Sequence, residues 1–308
     1  MTIRPDVSVV IPTRNRWSFL SRTLASALAQ EDVTLEVIVI DDGSDDQTPD
    51  RLGAVDDARL RVFRHERSLG VARARNTGIE RARSAWIAFL DDDDTWSPAK
   101  LRTQLAALRT ERAVFAYASA VHIDEAGNVV AVERAPEPDA LVPQLLTSEN
   151  PMPAGCSNVV AARDVLRRLG GFDERLFHLA DWDLWLRLAA SGAAVACPEV
   201  LVAYLKHAGN MLTVADRDIF GEFAYLSAKH RAEGARRGLR FDGVPLSRWV
   251  ASGHRRAGRR RDAARAYLRG AVAFRSPGNA MRAINVMFNP GAVGPEPLSP
   301  LPRPSWLP

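Results

Sequence analysis

Apolar and polar positions along the chain follow two periods. Short, mainly apolar runs at residues 7–11, 35–40 and 86–90 predict strands buried on both faces of a parallel sheet. Leu60-Arg61-Val62-Phe63 predicts a shorter strand. Between these runs the spacing becomes helical: Phe19, Leu20, Leu24, Ala27 and Leu28 share one helix face, and Ser68-Leu69-Gly70 introduces a helix to Arg83. This alternation implies βαβ units with right-handed crossovers. Farther on, residues 113–118 predict a strand, Asp124-Glu125-Ala126-Gly127-Asn128 a hairpin turn into Val129-Val130-Ala131-Val132, and residues 156–161 another strand. Helices are expected over 163–169, closed by Gly170, and over 180–188, with strand pattern at 195–196 and 200–204. Residues 133–153 contain Pro136, Pro138, Pro143, Pro151 and Pro153, which predicts an irregular mobile loop.

The C-terminal third reads differently. Two helices are expected over 246–257 and 260–274, around a turn at Gly258. In the second, Ala264, Tyr267, Leu268, Ala271 and Val272 form an apolar stripe expected to pack inward, with Arg261, Arg265 and Arg269 along another face. Beyond Asn289 no core-forming pattern is present, so a flexible or surface-draped tail is expected.

Composition adds the sign of the charge. The 308 residues are 46% hydrophobic and 25% charged, as in ordinary globular proteins. No apolar run reaches the ~20 residues of a membrane span. The N-terminus lacks the apolar core of a secretory signal, so a cytoplasmic location is expected, with peripheral contact at the inner face of the cell membrane compatible with it. Two cysteines, Cys156 and Cys197, suggest neither a disulfide framework nor a cysteine-based metal site. From Lys229 to Arg282 there are 15 lysines and arginines against 3 acidic residues, although the whole chain carries only +4. A mildly acidic body thus bears a basic C-terminal part, which suggests an anionic partner, whether membrane surface, nucleic acid or acidic substrate; with the candidate chemistry below, peripheral contact with an anionic membrane is the expectation and no nucleic acid partner is expected.

The candidate chemistry sits where the third long run meets Asp91-Asp92-Asp93-Asp94. In open α/β sheets ligands bind beyond the carboxyl ends of the strands. Ser97-Pro98 reads as an N-cap followed by proline at the first helical position, pinning the acidic cluster between strand and helix. Four adjacent carboxylates are unfavourable unless positive charge sits among them, and a divalent cation with oxygen ligands is the obvious candidate. A second strand ends in Asp41-Asp42. The chain has neither a dinucleotide-binding glycine fingerprint nor a Walker-type loop. Carboxylates alone repel phosphate, so the pattern points to a metal–diphosphate ligand.

In sequence order, residues 7–16 (VSVVIPTRNR), 39–44 (VIDDGS), 74–78 (ARNTG) and 89–94 (FLDDDD), then 170–174 (GGFDE) and 181–188 (DWDLWLRL), resemble a family 2 glycosyltransferase. The resemblance covers roughly the first two thirds of the chain. It implies an α/β GT-A fold, Rossmann-like with a mostly parallel sheet flanked by helices, here with a C-terminal helical extension. It also implies a nucleoside-diphosphate-sugar donor, a divalent metal (Mn2+ or Mg2+) and inversion at the sugar. Matched residue by residue, Thr13 and Asp42 fall at nucleoside contacts, Asp42 at a base such as uracil or thymine. Arg75, with Arg73, matches a basic position near the nucleotide. Asp91 and Asp92 face the ribose or metal waters, Asp93 is the metal ligand, and His207 resembles a late histidine near the diphosphate. Asp181 is the expected general base; the family usually has Glu before it, where this chain has Ala180. No Gln-x-x-Arg-Trp motif of processive synthases is present, so transfer of a single sugar is expected.

The expected organisation is a catalytic domain over 1–215, split into a nucleotide-sugar-binding half (1–112) and an acceptor half (113–215), then a basic helical extension (216–289) and a Pro-rich tail (290–308). The expected activity is metal-dependent transfer from a UDP- or dTDP-sugar to a glycan, glycolipid or small-molecule acceptor, in polysaccharide, glycolipid or glycoconjugate synthesis. The alternatives are a sugar nucleotidyltransferase, disfavoured by the glycine-free loop Pro12-Thr13-Arg14-Asn15-Arg16, and a non-catalytic nucleotide-sugar-binding protein, supported only by Ala180.

Overall fold

The computed structural model describes residues 4–147, 150–207, 218–288 and 301–307. The chain divides into two compact units: Met1–Pro138, Met152–Leu205 and Leu301–Pro308 form one, Asp139–Pro151 and Lys206–Pro300 the other. The boundary expected at 215/216 falls outside the described residues.

In chain order the elements are β1 (Val7–Thr13), α1 (Trp17–Leu28), β2 (Leu35–Asp41), α2 (Thr48–Gly53), β3 (Leu60–Arg64), α3 (Val71–Arg81), β4 (Trp86–Phe89), β5 (Thr95–Trp96) and α4 (Lys100–Glu111). Then come β6 (Phe115–Ile123), β7 (Val129–Glu133), α5 (Pro138–Thr147), β8 (Val160–Ala162), α6 (Arg163–Arg168), α7 (Ala180–Ala189) and β9 (Ala194–Leu205). The second unit continues with α8 (Ile219–Lys229), α9 (Arg231–Arg236), α10 (Gly243–Arg256), α11 (Arg260–Ala273) and α12 (Pro277–Phe288). No helix among the described residues is long and apolar enough to cross a membrane.

The sheet runs β3-β2-β1-β4-β8-β6-β9-β5, with β7 paired to β6. Its first four strands are parallel, with Val7 opposite both Leu35 and Trp86. β8 is antiparallel to β4 and β6, and β9 is parallel to β6. The apolar runs become central strands because they can bury both faces: every residue of β1 and of β2 is buried. Leu20, Leu24 and Ala27 of α1 and Leu101, Leu105 and Leu108 of α4 close over Val9, Ile11, Val37 and Leu90. Each such side chain stabilises the fold by about 1.5–3 kcal/mol on burial.

Several expectations are corrected. Helix α4 starts at Lys100, not at Ser97-Pro98. Trp96 pairs with Val202, and the Ser97 N–H donates to the Leu201 carbonyl, so the chain stays extended to Ser97. The loop expected over 133–153 contains helix α5, with Pro143 inside it. Leu141 and Leu145, one turn apart, are buried; that stripe outweighs one missing backbone donor. Residues 148–149 of that loop lie outside the described residues. The strand expected from Cys156 begins only at Val160, because Gly155–Asn158 is a 3-10 turn. There the Asn158 side chain serves as a strand partner, accepting from the Ala118 N–H at 2.8 Å and donating to the Ala118 carbonyl.

Of the expected tail, residues 289–300 lie outside the described residues, and residues 301–307 belong to the first unit. Leu307, Trp306 and Leu301 join an apolar cluster with Val121, Ile123, Leu205 and Phe19, and the Trp306 indole donates to the Val200 carbonyl at 3.0 Å. Removing residues 301–308 should lower stability by about 2–5 kcal/mol, the usual cost of losing a large buried apolar side chain. Thermal unfolding measures this; an unchanged midpoint in the truncated chain would refute it.

Candidate active site

The strand order 3-2-1-4 reverses direction between β1 and β4, so the crevice beyond Thr13 and Phe89 is the topological switch point. The Leu90 N–H still donates to the Val10 carbonyl at 3.0 Å, and the acidic residues begin immediately after it. The four adjacent aspartates then meet five partners, with Arg16 shared by two of them. Asp91 Oδ1 accepts from Arg75 Nη2 at 2.5 Å. Asp92 accepts from the Thr13 hydroxyl and from Arg16 Nη1, both at 2.7 Å. Asp93 Oδ2 lies 3.0 Å from Arg16 Nη2. Asp94 is fully buried and accepts from the Ser157 hydroxyl at 2.5 Å and the Leu205 N–H at 3.0 Å.

Asp94 is therefore the structural member of the cluster, tying the loop to the 3-10 turn and to the end of β9. Burial, with Asp93 and Asp91 nearby, holds its carboxyl well above the usual range and favours its protonated form. Burial lifts Asp92 to about 7, with Arg16 pulling it back and Asp93 adding to the rise. Arg16 and Arg75 bring two positive charges into the cluster, so the protein itself meets part of the demand that the sequence assigned to a cation.

The end of β2 is built differently. Asp42 accepts four hydrogen bonds: His65 Nδ1 at 2.7 Å, the Ser68 hydroxyl at 2.7 Å, and the Leu69 and Gly70 N–H groups at 2.9 Å. Burial alone would raise its pKa, but these donors outweigh it and hold the carboxyl below the usual range. An ionised Asp42 requires the proton on His65 Nδ1, and Nε2 then lies 3.0 Å from Thr77 Oγ1 on α3. Gly43 lets the two loops meet: its φ is +75°, and a Cβ there would come within 2.7 Å of the Arg67–Ser68 backbone.

Helix α3 separates the two candidate arginines. Two steps along a helix turn a side chain about 200°. Arg75 points into the acidic loop, with its guanidinium 5.3 Å from the Phe172 ring centroid. Arg73 pairs instead with Glu174 at 3.4 Å and Glu80 at 3.6 Å and does not reach the cluster. Asn76 exchanges hydrogen bonds with Phe172, donating to its carbonyl and accepting from its N–H. Gly171, at φ +69°, is needed there, since a Cβ would stand 2.3 Å from Asn76 Oδ1.

Asp181 lies in the first turn of α7, whose N-cap is Leu179. Its Oδ1 accepts from the Trp182 N–H at 2.7 Å, and a Cβ on Gly155 would stand 3.4 Å from its Oδ2. Burial raises its pKa to about 6, against the pull of Arg75 and the Trp182 N–H, with Asp91 adding a smaller rise. Arg75 thus acts electrostatically on both Asp91 and Asp181. The buried Ala180 adds no charge beside this carboxylate. Asp183 is fully buried and held by Arg187, whose guanidinium also donates to the Leu169 and Gly171 carbonyls. Through Arg187 it ties α7 to the turn at residues 169–171. His207 follows Leu205 by two residues and belongs to the second unit, whose longer segment opens at Lys206.

Among the described residues no group of three or more His, Cys, Asp or Glu side chains converges on a metal-sized site. The donor set still fits a cation that draws its other ligands from phosphate and water, as Mg2+ does through one or two carboxylates. Asp91 keeps Oδ2 without a protein partner, and 29% of its side chain is open to solvent. Sequence reasoning missed the pairing roles of Arg16, His65, Ser157 and Arg187. Arg16 meets its aspartates across 76 and 77 positions, a separation no local pattern encodes.

The family model described as "Glycosyl transferase family 2" matches residues 8–168. The succinoglycan biosynthesis protein ExoO of Rhizobium meliloti (strain 1021) is 46% identical over 101 residues, covering 33% of this chain and 29% of that protein. The Escherichia coli UDP-Glc:alpha-D-GlcNAc-diphosphoundecaprenol beta-1,3-glucosyltransferase WfaP is 28% identical over 206 residues, 67% of this chain and 79% of that protein. The crystal structure of S. aureus TarS 1-349 in complex with UDP-GlcNAc superposes with a TM-score of 0.60 at 16% identity, covering 87% of this chain and 73% of that one. At that identity the likeness shows a shared fold, the α/β GT-A arrangement.

Proposed function

The chain belongs to glycosyl transferase family 2, and from that premise we propose a metal-assisted, inverting transfer of one sugar from a nucleoside-diphosphate-sugar to an acceptor hydroxyl. The observation that carries the reading is Arg75, which bonds to Asp91 of the switch-point loop and acts on the half-buried carboxylate of Asp181. It joins a donor-binding edge and a base of raised pKa into one site. A nucleotidyltransferase has no comparable use for Asp181.

The donor's diphosphate lies against Asp91–Asp93 and Arg16, and its nucleoside lies near Thr13 and the loops organised by Asp42. Asp42 shapes the base pocket through residues 65–70 as well as contacting the base. Mg2+ or Mn2+ would be held by Asp93 with Asp91 and would supply Lewis-acid neutralisation of the diphosphate. Ionised Asp181 takes the acceptor hydroxyl proton as that oxygen bonds to the anomeric carbon from the face opposite the diphosphate. The carbon–oxygen bond to the diphosphate breaks, and its electron pair leaves with the nucleoside diphosphate. A carboxylate is far less basic than an alkoxide, so proton transfer and bond formation are concerted. WfaP acts on a UDP-sugar and a lipid-linked acceptor, TarS is solved with UDP-GlcNAc and ExoO is a succinoglycan biosynthesis protein; the first two support a UDP-sugar donor here, WfaP a lipid-linked glycan acceptor, and ExoO a place in polysaccharide synthesis.

A thermal-shift and calorimetric panel of nucleoside diphosphates, with Mn2+, Mg2+ or EDTA, tests the donor half. UDP should raise the melting temperature with metal present. Asp93→Ala should weaken metal-supported UDP binding tenfold to a hundredfold, since one charged contact is worth about 1.5–3 kcal/mol. Equal UDP affinity in Mn2+ and in EDTA would rule out the metal.

A further inference from the structure

Nine large apolar side chains are exposed among the described residues, and six of them lie on α11 and α12: Leu268, Val272, Met281, Ile284, Met287 and Phe288. Val272 is 82% exposed and Phe288 77%. Of the expected inward stripe, Ala264 and Tyr267 are buried, together with Ala263, Ala266 and Gly270, whereas Leu268 and Val272 turn outward. At Gly270 the neighbouring helix approaches closely. A Cβ on Gly270 would stand 2.3 Å from Ser247, and Asn279 donates to the Ser247 hydroxyl at 2.6 Å. The larger side chains turn outward. In α11 they share a face with the basic residues: Arg261, Arg265, Leu268 and Val272 follow one another at i, i+4, i+7 and i+11. In α12, Met281, Ile284 and Phe288 repeat at i, i+3 and i+7, opposite the buried Asn279, Ala283 and Val286. Arg260 donates to the Met287 carbonyl at 3.0 Å, which places a guanidinium beside the exposed end of α12.

We propose that this hairpin face is a membrane-docking surface for anionic phospholipid, with the apolar side chains entering the interface and the arginines meeting the headgroups. Residues 260–288 contain six arginines and one acidic residue, Asp262, which is engaged by Arg265 at 3.1 Å. That charge decides the occupant. A second copy would place the same arginine-rimmed patch against itself, since a two-fold interface is self-complementary. Nucleic acid would satisfy the arginines but leave the aliphatic side chains with no partner. An anionic lipid surface satisfies both, through buried hydrocarbon and attraction to each basic residue. The proposal rests on this face alone and is independent of the reading of the donor site.

Co-sedimentation of the full chain with phosphatidylglycerol-containing vesicles and with pure phosphatidylcholine vesicles tests it. Binding should favour the anionic vesicles and weaken in 0.5 M salt. The double variant Val272→Asp/Ile284→Asp should bind at least about tenfold more weakly, with melting temperature and UDP-induced thermal shift unchanged, because both side chains are exposed. Equal binding to neutral vesicles, or unaltered binding by the double variant, overturns the proposal. So does a dimer seen by light scattering that the double variant abolishes while vesicle binding is absent; the face would then join two copies.

Discussion

Replacing Asp181 by Asn is expected to lower turnover by about 10²–10⁴-fold, the range supplied by a positioned general base. The amide keeps the shape of the side chain, and its oxygen can still accept from the Trp182 N–H, so donor affinity should stay within twofold or so of the parent. The pH profile gives a second readout. Burial puts the Asp181 pKa at about 6, and only the ionised form takes a proton, so kcat/KM should rise with pH through about 6 and then level. Stability has the opposite sign. The folded-state pKa lies above the unfolded one, so the group's contribution is full below the unfolded pKa and is lost as pH rises through about 6. Asn does not titrate and escapes that loss. At pH 8 the variant should be as stable as the parent or more so, by up to about 3 kcal/mol for two pKa units. A residual turnover above one tenth, or an equal destabilisation at pH 5 and pH 8, would leave Asp181 only a helix-terminus role.

Arg75→Met should cost stability and activity together. The guanidinium is buried, bonded to Asp91 and stacked near Phe172. Removing one partner of a buried ion pair typically costs about 3–5 kcal/mol, because the remaining charge is uncompensated. The lower end applies here, since Asp91 is partly open to solvent. Arg75 also pulls the Asp181 pKa down, so its loss should move the acid limb of the pH–rate profile above 6. A purely structural role would lower stability and leave that limb in place. Asp91→Asn added to Arg75→Met should recover part of the stability and none of the donor affinity. Additive losses in the double variant would show that the two side chains are not coupled.

What the chain states locally is its alternation of short buried runs and helical spacings. A strand with both faces covered and a helix with one apolar stripe each have a period that is set by backbone geometry within a few residues. The parallel strands β1, β2 and β4 and the helices α1, α3, α7 and α11 follow from it. The same locality placed the acidic cluster at the carboxyl end of a strand and made Asp181 a first-turn residue of a helix. The departures occur where a distant partner overrides a local preference. Ser97-Pro98 reads as a helix start, but β9 holds that segment extended. Residues 156–158 read as strand, but Ser157 and Asn158 spend their side chains on Asp94 and on the backbone of Ala118.

The division of labour among like residues was decided only by the tertiary structure. Asp91, Asp92, Asp93 and Asp94 are indistinguishable as a run, yet one is a buried tie to Ser157 and Leu205 and the others meet arginines from α3 and from the loop after β1. Arg73 and Arg75 differ only in which side of α3 they occupy. Asp181 and Asp183 differ by what encloses them: one is half-buried beside Gly155 and feels Arg75, the other is fully buried and locked to Arg187. A charge's role depends on burial and on neighbours within a few ångströms, and those neighbours lie tens of positions away in the chain. The outward turn of Leu268 and Val272 has the same origin: Ser247 approaches Gly270 closely, and the inward face of α11 is filled by alanines and Tyr267.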